Sequence, residues 1–132
     1  MAVNKTSLSA GALIREILLD NHDVSTITNH VFPVATDKAD LPYILYRRSG
    51  MSPIRSKNKT DHNDTIQIDI VCFAATYAES LALAEAVRDA LDHVEAVSND
   101  KSLSLRSCDL IDAQETWENN AFIQSLTFEA KI

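Results

Sequence analysis

Residues 65–91 read TIQIDIVCFAATYAESLALAEAVRDAL. In the first half, Ile66, Ile68, Ile70 and Cys72 alternate with Thr65, Gln67, Asp69 and Val71, the two-residue period of a strand that buries one face. Past Ala75 the period lengthens to that of a helix. Thr76 and Glu79 form a capping-box pattern, and Tyr77, Leu81, Ala84, Val87 and Leu91 are predicted to form one apolar stripe, with Glu85, Arg88, Asp89 and Asp92 elsewhere. The strand-to-helix junction carries no glycine, lysine or histidine. It is therefore read as structural punctuation rather than a phosphate-binding loop.

Upstream, SAGALIREILLD supplies a helix with Ser9 as its cap and Leu13, Ile14, Ile17 and Leu18 on one face. A polar connection leads to the short extended piece HVFPV, then a loop, then the strand LPYILYRRS, ended by Gly50 and Pro53. The polar run GMSPIRSKNKTDHND reads as a long exposed hairpin connection. Downstream, KSLSLRSCDLIDAQETW reads as strand-like with Leu103, Leu105 and Leu110 as its apolar positions, ETWENN reads as a turn, and Leu126, Phe128, Ala130 and Ile132 share a face of the last strand. The order predicts an α+β fold with a mainly antiparallel sheet of four to five strands and two helices packed on one face. A single domain over residues 1–132 is the simplest division, since two glycines and three prolines leave few places for a linker.

Composition excludes several functions. A net charge of −7 argues against a sequence-specific nucleic-acid binder, which needs lysine and arginine to displace counterions from phosphates. No apolar run approaches the roughly 18 residues of a membrane span, and Arg15 and Glu16 come too early for a secretory leader, so a cytoplasmic chain is expected. Cys72 and Cys108 stand apart from any CxxC or Cys/His cluster and read as free, buried thiols. The histidines His22, His30, His62 and His93 make no metal-ligand spacing, and no nucleophile elbow or dinucleotide fingerprint occurs. No metal, cofactor or catalytic residue is therefore expected. An enzyme reading would need a site between subunits from residues such as Tyr46, His62 and Asp64.

One charge asymmetry stands out. Arg47, Arg48, Arg55, Lys57 and Lys59 fall within a stretch from Leu41 to Thr60 that contains no acid. As a basic arm of an acidic protein, these residues are candidates for a protein interface, against Glu85, Asp89 and Asp92 or the ETWEN turn of a neighbour; Trp117 is a further candidate contact. A solvated hairpin that keeps an exposed edge from aggregating is the competing reading.

Three segments together resemble the bacteriophage tail completion, or tail terminator, proteins of long-tailed phages and prophages. LIREILLDNHDVSTIT followed by HVFPVATDKADLPYILYRR is similar to that family's opening helix, proline-ended extended segment and LPY strand. IQIDIVCFAATYAESLALAEAVRDAL is similar to its strand, cap and Ala/Leu/Val helix, and DAQETWENNAFIQSLTFEAKI to its acid-rich turn and closing strand. The likeness runs from about Leu13 to Ile132. It departs at Asn29-His30, where a glycine-containing turn is commoner, and at Cys72-Phe73, where a tryptophan is expected. The resemblance implies a structural protein without enzyme activity: a homo-oligomeric, hexameric ring that caps the tail tube and meets the head-side connector. Its partners would be itself, the tail tube protein and the connector, and its place the virion tail or neck after assembly in the host cytoplasm. Another neck or tail-tube protein of the same virion is the alternative.

Overall fold

The computed structural model describes residues 6–35, 40–52, 64–101 and 103–132. Three helices, α1 (Ala10–Asp20), α2 (His22–Ile27) and α3 (Tyr77–Leu91), accompany strands β1 (Val31–Pro33), β2 (Tyr43–Ser52), β3 (Thr65–Ala74), β4 (Ala96–Val97), β5 (Ser104–Leu105), β6 (Ser107–Glu118) and β7 (Ala121–Lys131). The main sheet has five strands in the order β1-β2-β3-β7-β6, with β4 and β5 forming a separate pair. The fold is the expected α+β arrangement. All pairings within the main sheet are antiparallel except β1 with β2.

The central strand follows its sequence period. Ile66, Ile68, Ile70, Cys72 and Ala74 are buried on one face, opposite Leu126, Phe128 and Ala130 of β7, and α1 and α3 pack over them. Gly11 sits where α1 packs on Tyr46 of β2: an added Cβ would lie 3.0 Å from the Tyr46 ring, so the residue that weakens the helix permits the contact.

Several local expectations are corrected. The stripe of α3 is rotated from the one predicted: Tyr77 and Leu81 are 44% and 37% exposed, while Ser80, Leu83, Ala84, Ala86, Val87, Ala90 and Leu91 face the core. Alanine and serine there let the helix lie close to the sheet, which a stripe of larger residues would not. The Thr76 hydroxyl accepts from the Glu79 N–H at 3.2 Å, but the return bond from the Glu79 side chain is not among those of the described residues. Ser9 makes no side-chain cap; Thr6 caps the 3₁₀ turn Ser7–Ser9 that precedes α1.

The polar connection after α1 contains the short helix α2, because Asn21 accepts from the Val24 N–H at 3.0 Å and buried Val24 anchors it. ETWENN is not a turn as a whole. β6 continues through Trp117 to Glu118, and Asn119 and Asn120, with φ of 52° and 64°, form the entire reversal. Two successive left-handed residues suit the twist of a tight hairpin, and asparagine tolerates them better than most side chains.

Candidate assembly surface

Chain direction and strand parity decide where the candidate residues lie. Arg47 and Arg48 are not on a loop but on β2, and adjacent strand positions send them to opposite faces. Arg47 lies on the face away from the helices, where its guanidinium meets the Asp69 carboxylate at 3.1 Å. Asp69 also accepts from the Thr127 and Ser49 hydroxyls, at 2.9 and 3.3 Å. Arg48 lies on the helix side and donates to the Leu8 carbonyl at 2.9 Å. Arg55, Lys57, Lys59 and His62 lie outside the described residues. The single basic arm expected from Arg47 to Lys59 therefore begins within the sheet.

The sheet face away from the helices is divided. One end carries the polar network just described; the other carries Tyr43 stacked on Phe73, ring centroids 4.5 Å apart, with Leu45, Val71 and Ile123 beside them. Burial raises the Tyr43 phenol above its usual pKa.

Trp117 is 58% exposed, on the helix side of β6 opposite Phe122. Nearby, Glu115 accepts from the Gln124 amide at 3.0 Å and from the Tyr77 hydroxyl at 2.8 Å. These two bonds hold the Glu115 carboxyl below its usual range, and the bond to Glu115 raises the Tyr77 phenol. They tie the start of α3 to the edge strand.

At the other end of α3, Asp92, His93 and Asp109 bring three ligand-capable groups within 4.8 Å. The two imidazole nitrogens face different carboxylates, Nδ1 toward Asp109 at 3.0 Å and Nε2 toward Asp92 at 3.7 Å. That geometry suits a polar clasp between the end of α3 and β6, each ring nitrogen facing its own carboxylate, better than two carboxylates converging on one ion. Asp92 is also a backbone cap: it accepts the Leu110 N–H at 3.0 Å, the main cause of its lowered pKa, with His93 and Arg88 adding to it. Together with Glu85, Arg88 and Asp89 it lines a shallow, acid-rich groove along the helix.

Tyr46 and Asp64, named for an enzyme reading, are not brought together within the chain. Tyr46 pairs with Ile70, six positions along β3 from Asp64 and so roughly 20 Å away. Asp64 is buried and receives the Ser7 hydroxyl.

The edge strand β6 falls within the segment from Lys101 to Trp117 that reads as strand-like, but its continuation to Glu118 and its place at the sheet edge were not legible in the pattern. Its acids Asp109, Asp112, Glu115 and Glu118 recur every third residue, which hides a two-residue period. A bulge between Leu110 and Asp112 shifts the register, so Asp109 and Asp112 share the face away from the helices, while Glu115 lies on the helix side and Glu118 away from it. The usable signal was the absence of lysine, arginine, proline and glycine from Ser107 to Glu118, which is compatible with a continuous strand.

Among the described residues no helix is long and apolar enough to cross a membrane. An α+β layer with charged strand edges and an acid-rich helix groove does not by itself define a function. The family model described as tail completion protein gp17 matches residues 12–132, and the chain belongs to that family of phage tail structural proteins. A chain in the structure titled "Virion of native gene transfer agent (GTA) particle" has the same fold, with a TM-score of 0.69, 20% identity and coverage of 92% of this chain and 95% of that one. No curated protein matches.

Proposed function

We propose that the protein completes the tail as a homo-oligomeric, hexameric ring of single-domain subunits that caps the tail tube and presents a surface to the head-side connector, without catalysis or a bound cofactor. The observation that carries this reading is the tail completion match over nearly the whole chain. The fold shared with a chain of a virion particle supports a place in the tail or neck. Assembly would take place in the bacterial cytoplasm.

Within this reading the basic residues Arg47, Arg48, Arg55, Lys57 and Lys59, with Trp117, contact a neighbouring subunit or the tube. Opposite charge selects register and partner more than it adds affinity. A ring brings each basic segment against the acid-rich surface of a copy, where Glu85, Asp89 and Asp92 line a groove.

The test combines purified protein with tail tubes in negative-stain electron microscopy, with native mass spectrometry of the protein alone. Rings of uniform subunit number at one tube end are expected, and reversal of Arg55, Lys57 and Lys59 to glutamate should reduce capping without moving the melting temperature. A protein that stays monomeric and leaves tube ends bare refutes the ring. Capping by the triple variant at wild-type level removes those three residues from the interface.

A further inference from the structure

The two edges of the main sheet are unlike each other. On β6 the outer edge is closed at its start: the His93 N–H donates to the Cys108 carbonyl at 2.6 Å, and Asp92 takes the Leu110 N–H. These bonds show which backbone groups face outward, namely those of Cys108 and Leu110. Past the bulge, strand alternation turns the groups of Ala113, Glu115 and Trp117 outward in the same way. No backbone hydrogen bond from the described residues reaches that side of Ala113–Glu118. Every residue from Ile111 to Asn120 is exposed. On β2, β1 covers Ile44–Tyr46, and among the described residues nothing bonds to the outer backbone of Arg47–Ser52. Each edge thus leaves a segment of about the same length open.

The open segments are opposite in charge. β6 carries Asp109, Asp112, Glu115 and Glu118 and no base, whereas β2 carries Arg47 and Arg48 and no acid. Pairing of two β6 edges would set acids against acids, which opposes a two-fold symmetric contact. Pairing of β6 with β2 sets unlike charges together and is a head-to-tail contact that can repeat.

We propose that Ala113–Glu118 is a strand-addition edge whose occupant is the Arg47–Ser52 edge of a second copy, so that copies join head to tail into a continuous sheet. This rests on the ring reading above and names its interface. Parity permits it once the β2 register shift between Arg48 and Gly50 is carried across: with the helices of both copies on the same side, antiparallel pairing that sets Arg47 opposite Glu118 leaves Ser49 as the extra residue and brings Met51 opposite Glu115. The same register places Arg48 opposite Trp117 and diagonal to Glu115, where the guanidinium can lie on the indole face. The segments lie at opposite corners of the sheet, since Arg47 is level with Asp112 through Asp69 and Thr127, while Glu115 is level with Ile44 through Gln124 and Cys72. Each copy is therefore offset along the strands by about six residues, roughly 20 Å. A closed ring absorbs such an offset as strand tilt.

The experiment uses two charge-reversed full-length chains. One carries Arg47→Glu and Arg48→Glu, the other Glu115→Lys and Glu118→Lys, and sedimentation and native mass spectrometry read their assembly. Each alone should assemble roughly tenfold or more weakly than wild type, because like charges now face each other at every junction. Mixed one to one, they should recover assemblies with equal numbers of each chain, since every junction again pairs an acidic with a basic edge. Recovery on mixing also shows that neither chain is merely misfolded. Trp117→Pro provides a check without charge reversal: it removes the outward N–H opposite Arg48 without touching the ladder to β7 and should weaken assembly at little change in melting temperature. If wild type assembles and the reversed chains and Trp117→Pro assemble equally well, or if folded reversed chains fail to recover on mixing, the edge assignment falls while the ring stands. If wild type stays monomeric with and without tubes, the ring and this interface fall together.

Discussion

Replacing Ile68 by alanine tests the register of the central strand. Ile68 is 1% exposed, in the middle of β3, with Arg48 on one side of it and Phe128 on the other, under the helix layer. Truncation removes three carbons, about 2.4 kcal/mol at roughly 0.8 kcal/mol per buried methylene. The void adds to this. A residual cavity of about 80 Å³ at roughly 24 cal/mol per Å³ contributes about 2 kcal/mol, and paired strands on both sides of β3 limit collapse. The expected loss is therefore in the upper part of the range of about 2 to 5 kcal/mol for such changes. For a chain of this size that is a fall in melting temperature of roughly 10 to 20 °C. Gln67→Ala, one residue away on the exposed face, should stay within about 0.5 kcal/mol of wild type. Urea unfolding and thermal melts at one fixed protein concentration measure both. Equal midpoints for the two variants would refute the assignment of faces on β3, and with it the core of the fold.

Thr76→Ala should cost about 1 kcal/mol by removing the acceptor for the Glu79 N–H at the start of α3, read by chemical denaturation. Cys72 and Cys108 are free and buried, and burial pushes both thiols up to about 12, so native protein should resist a thiol reagent that titrates two thiols after denaturation. The same raised values predict stability that is complete below about 9, the ordinary thiol range, and lost as pH rises from there toward about 12, measurable as an alkaline fall in unfolding free energy. Asp92 and Glu115 have lowered pKa values, so their contribution is present above the ordinary carboxylate range and fades as pH falls through the lowered values; Glu115→Gln should flatten part of that acid dependence.

What the amino-acid sequence determined by itself is what short-range periodicity encodes. The alternation from Ile66 to Cys72 and from Leu126 to Ile132 marks the buried faces of two neighbouring strands, because a side chain's face follows from its parity alone. Thr76 marks a helix start because its hydroxyl needs a donor only three residues away. The order of these segments along nearly the whole chain also carried the family likeness. Tertiary structure decided whatever depends on distant partners. The stripe of α3 turned toward Ser80 and Leu83 because the sheet rewards close approach by small residues, which helical spacing cannot rank. β6 absorbed most of the predicted turn because β7 pairs with it through Glu118, and the bulge set Asp109 and Asp112 on one face. The opposite faces of Arg47 and Arg48, and the open edges they and the β6 acids mark, exist only once strand order is set. An edge is defined by which strand is missing beside it, and no local pattern of residues records that.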